Sequence, residues 1–281
     1  MSQAVEPNLT NTISGVGLGL KRSMLPSLIQ DKPGVIDFFE VAPENWIGVG
    51  GKFGKSLRQI REHTPIICHG LSLSVGGSAP LNQSLIGDIK DLLDAFDVPI
   101  YSEHLSYCTD DGQLYDLLPL PFTEEAIKHV SGRIRQVQDM LERRIAIENV
   151  SYYLVPGAQM SEVEFINAVL KEADCDMLLD VNNIYVNSQN HGYDASEYLN
   201  ALSPTNISYI HVAGHFLESD GFIVDTHGAD VINPVWQLLK QAYDKFGVLP
   251  TLLERDFNLP ALNELCIELE QIKMLQLSQQ S

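Results

Sequence analysis

Six short apolar runs in this chain each end on a residue of a type that ligates metals. They read Pro-Ile-Ile-Cys-His to His69, Pro-Ile-Tyr-Ser-Glu-His to His104 and Ile-Ala-Ile-Glu to Glu148. Met-Leu-Leu-Asp to Asp180, Ile-Ser-Tyr-Ile-His to His211 and Thr-Leu-Leu-Glu to Glu254 complete the set. Short apolar runs of this length read as buried strands. Alternation along a strand puts His69 on the face of Ile67, and His104 on the face of Ser102 and Ile100. A polar residue at the same end of every run has no explanation in packing. If the ends converge, they build one nitrogen- and oxygen-liganded metal centre.

Two further ligand types, Asp225 and His227, stand in the turn Val-Asp-Thr-His-Gly, and Asn183 follows three residues after Asp180. The candidate ligands are therefore His69, His104, Glu148, Asp180, Asn183, His211, Asp225, His227 and Glu254. The set contains no thiolate, which suits iron, zinc or manganese and disfavours a structural cysteine-rich zinc site. It exceeds what one ion can use, so two or three ions with bridging carboxylates are expected, with Glu148 near the centre of the mouth as a bridge. Taken singly, a strand histidine is commonly a hydrogen-bonded core residue, and a strand-end aspartate can cap the next helix. Taken together, the buried carboxylates would need cations or would be forced to protonate.

The elements that must position these residues alternate along the chain. Strands are expected at 15–20, 36–41, 65–70, 99–105, 144–149, 177–181, 207–212 and 250–255. Between them lie stripes at helical spacing, such as Leu85, Ile89, Leu92, Leu93 and Phe96, or Ile127, Val130, Ile134, Val137 and Leu141. Val163, Phe165, Ile166, Val169 and Leu170 form another, opened by a Ser161/Glu164 capping box. Thr123 caps the helix that begins with Glu124 and Glu125, and Asn233-Pro234 opens one over 236–246. The fold class is α/β, and eight such units favour a single (β/α)8 TIM barrel over residues 1–281, with loose tails at about 1–12 and 275–281. A glycine-rich stretch at Gly15–Gly19 lacks the third glycine of a dinucleotide fingerprint and reads as the first barrel strand.

Composition narrows the partners. The chain has 281 residues, 44% of them hydrophobic, enough for one large core. Its formal charge of −19, from 18 basic and 37 acidic side chains, opposes binding to nucleic acid or to an anionic membrane. No signal-peptide pattern or membrane-length apolar run is present, so a cytoplasmic protein is expected. Cys68, Cys108, Cys175 and Cys266 form no CxxC pair and read as free thiols, with Cys68 facing away from its neighbour His69.

The ligand order resembles that of endonuclease IV-like and xylose isomerase-like barrels, but Asn183 stands where endonuclease IV has histidine. A closer resemblance runs along nearly the whole chain. Phe-Phe-Glu-Val-Ala-Pro-Glu-Asn-Trp (38–46), His-Gly-Leu-Ser-Leu-Ser (69–74), Tyr-Ser-Glu-His-Leu-Ser (101–106), Ile-Glu-Asn-Val-Ser (147–151), Leu-Asp-Val-Asn-Asn (179–183), His-Val-Ala-Gly-His (211–215) and Asp-Thr-His-Gly (225–228) resemble the MbnB/TglH family of multinuclear non-haem iron enzymes. The resemblance implies a barrel with two or three iron ions and dioxygen as co-substrate. It also implies modification of cysteines in a ribosomally made precursor peptide, with a small partner protein. The chain resembles the bufferin-type branch, which makes thiooxazole-like groups.

Two residues are assigned to catalysis: His215 as an acid/base and Glu40, which ends the second strand, as a substrate-facing group or a carboxylate orienting His69. Asn45, Ser72 and Arg255 are assigned to substrate; the other readings of Arg255 are that it faces outward or pairs with Asp256. The rival readings are a zinc phosphodiesterase of the endonuclease IV type, a manganese sugar isomerase or epimerase, and a metal-loaded binding protein without turnover.

Overall fold

The computed structural model describes residues 13–109 and 112–279. Eight parallel strands close into a barrel: β1 (Val16–Gly19), β2 (Phe38–Val41), β3 (Ile66–His69), β4 (Tyr101–His104), β7 (Ala146–Glu148), β8 (Asp176–Asp180), β9 (Ile207–Ala213) and β12 (Thr251–Glu254). Two hairpins lie outside it, β5 (Tyr107–Thr109) with β6 (Gln113–Leu118), and β10 (Phe216–Leu217) with β11 (Ile223–Val224). The helices are α1 (Leu25–Gln30), α2 (Gly51–Arg61), α3 (Gln83–Ala95), α4 (Glu124–Leu141), α5 (Glu162–Ala173), α6 (Val181–His191), α7 (Ala195–Ala201), α8 (Asn233–Phe246) and α9 (Leu262–Ser278). Each of the eight expected strands contains or overlaps one barrel strand. The glycine-rich stretch forms β1.

Strand alternation divides the core into two layers of opposite purpose. Phe38, Ile67, Ala146, Leu178, Tyr209 and Leu252 form a buried cluster with Ile13 inside the barrel. Every one of these strand residues lies two positions before Glu40, His69, Glu148, Asp180, His211 or Glu254. The polar ends therefore stack as a ring above an apolar plug. Their neighbours, among them Phe39, Cys68, Ile147, Leu179, Ile210 and Leu253, face outward into the larger core shared with the helices. Burying a side chain of this size stabilises the fold by about 1.5–3 kcal/mol. A Cβ on Gly17 would stand 2.3 Å from the Phe38 ring, so glycine is needed in β1 for that ring to fill the plug.

The helices carry the expected stripes. Ile127, Val130, Ile134, Val137 and Leu141 are the buried line of α4, and Thr123 Oγ1 accepts from the Ala126 amide at its start. The Ser161/Glu164 capping box opens α5. At the C-terminus the expected loose tail from 275 is corrected, because α9 continues to Ser278. Buried Gln276 donates its amide to the Gly15 and Leu249 carbonyls, which fastens the last helical turn beside β1. The expected N-terminal tail, 1–12, lies outside the described residues, as do 280 and 281. Among the described residues, no helix is long and apolar enough to cross a membrane. The four cysteines are free thiols.

Candidate metal centre

The six strand ends converge. His69 and His104 point their Nε2 atoms at one another across 3.0 Å, with Glu148 Oε2 at 3.0 and 3.3 Å from them. The far side of each ring is engaged: His104 Nδ1 donates to the Gly70 carbonyl, and His69 Nδ1 bonds Ser102 Oγ. Both Nε2 atoms are thus committed to the mouth, where an ion could sit between them and Glu148.

Glu148 is shared. Its Oε1 lies 3.6 Å from His211 Nδ1, which is itself 3.2 Å from Glu254 Oε2 and 3.9 Å from Asp180 Oδ2. Glu148, Asp180, His211 and Glu254 form a second group able to hold an ion, and Glu254 also joins His227 and Asp256 in a third. Two carboxylates therefore link three ligand groups. Glu148 is common to the first and second groups, and Glu254 to the second and third.

Several buried polar atoms in and around these groups have no hydrogen-bond partner: Glu148 Oε2, Asp180 Oδ2, Asn183 Oδ1, His211 Nδ1, His227 Nε2 and Glu254 Oε2. One buried unsatisfied polar atom costs about 1–3 kcal/mol, so such a cluster would be strongly destabilising without a ligand. Among the described residues, no lysine or arginine pairs with Glu148, Asp180 or Glu254; their charged neighbours are histidines. The residues fit metal ions.

Electrostatics carries the same signature. Burial works against charging His69, yet Glu148 outweighs it and lifts the pKa to about 9. Burial and then the adjacent His69 drop His104 to about 4. Burial, followed by the charge of Glu148, pushes the Asp180 carboxyl well up. Burial opposes the charge on Glu254, but His227 and His211 hold its pKa well down. In the absence of a cation, protons on histidine balance the carboxylates.

A hydrogen-bonded chain underlies the ligands. His69 Nδ1, Ser102 Oγ, Tyr209 Oη, Glu40 Oε2 and His211 Nε2 follow one another at 2.5–2.9 Å. Glu40 accepts from both Tyr209 and His211, so Tyr209 has no hydrogen left for Ser102; Ser102 donates to Tyr209 at 2.7 Å in preference to the Cys68 carbonyl at 3.4 Å, and accepts from His69 Nδ1. The expectation that Glu40 orients His69 is corrected. It holds His211 directly and reaches His69 only through Tyr209 and Ser102, because the tilt of the strands carries its carboxylate toward β9.

The remaining assignments divide. Asn183 Nδ2 donates to the Asn149 carbonyl at 3.0 Å and to Glu148 Oε1 at 3.5 Å, and its Oδ1 is buried without a hydrogen-bond partner. Asp180 does two jobs, with Oδ1 capping α6 through the Asn183 amide and Oδ2 facing the centre. Asp225 Oδ1 lies 2.8 Å from His227 Nε2 and accepts from Asn182 Nδ2, while its Oδ2 accepts from Ser151 Oγ. His227 sits at φ 48°, in the left-handed region, a strained position of the kind that collects at functional sites.

His215 is not among the ligand groups. Its Nδ1 donates to Asn182 Oδ1 at 2.7 Å, and its ring stacks on Tyr185, so Asn182 ties it to Asp225. Burial lowers its pKa. Asn45 lines a cleft of about 440 Å3 that opens on Glu40, His69, Glu254 and Asp256. Ser72 is half-buried in the loop after β3 and is not among the residues lining that cleft. Arg255 is 3% exposed and turned away from the mouth, bound to Glu268 and Asp230. Its assignment to substrate is corrected, because alternation past Glu254 sends it outward to α9, and it does not pair with Asp256. Asp256 is the ligand type that the sequence reading missed. Its only signal was the Glu254-x-Asp256 spacing, one step beyond the strand end.

The barrel and its ring of shared carboxylates define a xylose isomerase-like TIM barrel with a mouth able to hold more than one metal ion. The same fold is found in a xylose isomerase-like TIM barrel protein from Mycobacterium smegmatis in complex with magnesium. The TM-score is 0.61 at 13% identity, over 97% of this chain and 99% of that one. Endonuclease IV from Thermus thermophilus gives 0.58 at 14% identity, over 94% and 99%. The chain belongs to the MbnB/TglH/ChrH family of RiPP precursor modification enzymes, whose model matches residues 15–277. A UPF0276 protein of Shewanella sediminis is 58% identical over 257 residues, 92% of each chain.

Proposed function

We propose that this chain is a multinuclear iron-dependent, dioxygen-using oxidase that modifies cysteine residues of a ribosomally made precursor peptide. The observation that carries this reading is the set of buried, partnerless donor atoms facing one another across Glu148 and Glu254, in a chain of this family. His69, His104 and Glu148 would hold one ion, and Glu148, Asp180, His211 and Glu254 a second. His227, Glu254 and Asp256 would hold a third, with Asn183 and Asp225 supplying further oxygens. Bound there, iron would supply thiolate binding, dioxygen activation and electron transfer.

The protein's own part is placement. Glu40 fixes the His211 ring, and Gly70 and Ser102 fix the rings of His104 and His69. His215 donates through Nδ1, which leaves Nε2 as the nitrogen free to accept a proton in the neutral ring. Trp46, Leu71 and Phe257 give the cleft apolar walls that keep water from a bound peptide. Tyr153 accepts from the Asp225 amide, packs at a tilt against Phe222 and adjoins exposed Leu154, an apolar rim beside the centre. This rim supports docking of the peptide together with a small partner protein. The strong negative charge supports a cytoplasmic protein with neither nucleic acid nor membrane as partner.

The test is metal analysis of protein purified without oxygen, followed by dioxygen uptake. More than one iron per chain is expected, with uptake only when a cysteine-bearing peptide is added. Stoichiometric zinc with phosphodiesterase activity, or bound manganese with sugar isomerisation, would overturn the proposal.

A further inference from the structure

A second cavity, of about 470 Å3, lies apart from the metal centre, among the loop after β7, the first turn of α5 and the turn between α6 and α7. Its walls are rings: Phe122, Tyr152, His191, Tyr193 and Tyr198. Tyr152 stacks on His191 with centroids 4.4 Å apart, and Tyr193 stacks on Tyr198 at 5.6 Å, both pairs tilted by 19°. The carboxylate of Glu162, itself 7% exposed, lines the same space and accepts from Tyr198 Oη at 2.9 Å and Tyr193 Oη at 3.2 Å.

Phenols satisfy the oxygens of Glu162 but do not neutralise its charge. Among the described residues no lysine or arginine lines the cavity, and its other charged lining groups, Asp194 and Glu197, are also acidic. A buried carboxylate lacking a counter-ion is costly, and the faces of aromatic rings are themselves negative. Burial pushes the Glu162 carboxyl up to about 7, with the Tyr198 and Tyr152 hydroxyls pulling the other way. The acidic and aromatic groups of the lining thus favour a positive occupant, and Val155, Met160 and Val163 add apolar surface for its organic part. The ring faces offer nothing to a strongly hydrated inorganic ion and suit an organic cation. The volume is in the range of small-molecule sites, about 300–1,000 Å3.

We propose that this cavity binds an organic ammonium group, ion-paired to Glu162 and packed against the tyrosine faces. The cavity and the mouth meet at the neighbouring residues Tyr152 and Ser151. Tyr152 is held by Asn187 Oδ1 at its amide and by His191 Nε2 at its carbonyl, and the adjacent Ser151 bonds Asp225.

Titration calorimetry of the metal-loaded full chain above pH 7 tests this, with tetramethylammonium chloride and n-butylammonium chloride as probes against potassium chloride at equal ionic strength. Saturable binding is expected for at least one organic cation and none for potassium; which cation binds tighter separates quaternary from primary ammonium sources. Glu162→Gln and Tyr193→Leu should each weaken binding at least about tenfold, the scale of one lost desolvated cation contact, without changing metal content. If Glu162→Gln does not fold, Tyr193→Leu decides. A cavity that holds only water gives no saturable heat with either probe, and that result overturns the proposal. Organic-cation binding unchanged in the folded variants does so too.

Discussion

Glu40 accepts a hydrogen bond from His211 Nε2 at 2.9 Å, although β1 and β12 stand between their two strands. The bond leaves His211 Nδ1 as the atom turned toward Glu148, Asp180 and Glu254. Glu40→Leu removes the acceptor at similar volume. Metal affinity is expected to fall about 10–100-fold, the usual cost of losing a carboxylate that orients a ligating histidine. Competition with a chelator measures it, and circular dichroism checks that the barrel still forms. Unchanged affinity would refute the role.

Sharing predicts unequal losses. His104 belongs to one ligand group, whereas Glu148 belongs to two. His104→Ala should cost the first group's ion and spare the others. Glu148→Ala should deplete both the first and second groups. Metal content per chain after gel filtration reads the difference directly, and equal losses would contradict the bridge.

Glu162 predicts a pH dependence. Its carboxyl moves from 4.5 to about 7 on folding, chiefly through burial. The folded protein therefore holds a proton that the unfolded chain releases, and stability falls as pH rises through that window. The penalty is on the order of 3 kcal/mol once the group is charged. Below pH 4.5 it is absent, and above pH 7 it is fully present. Denaturant titrations of wild type and Glu162→Gln across this range should diverge by that slope. Parallel profiles would show that Glu162 does not titrate there.

Arg255 should prove a strut. Its buried guanidinium joins β12 to Glu268 on α9. Arg255→Ala is expected to destabilise the fold by about 3–5 kcal/mol with unchanged metal content and peptide affinity. Intact stability with lost peptide binding would return Arg255 to the substrate site.

The barrel was legible because strands buried on both faces leave uniform apolar runs, and each run here stopped at a ligand type. Asp180 shows the limit of such reading. The choice between helix cap and metal ligand was open from sequence, and its two oxygens take one role each. The hairpins β5–β6 and β10–β11 carry too few residues to show a period. Asp256 lies two residues past the strand end, where alternation no longer dictates which way a side chain turns. The Glu40–His211 bond depends on strand tilt, a property of the closed barrel and of no local segment.

The chain from His69 through Ser102 and Tyr209 to Glu40 runs in one direction only, each hydroxyl giving its single hydrogen forward. His69 and His211, whose rings stand edge to face 5.3 Å apart, therefore take their tautomers from one carboxylate. Both seats are thus set before any ion arrives, so one seat does not wait on the other and partly filled centres should appear when the protein is titrated with metal.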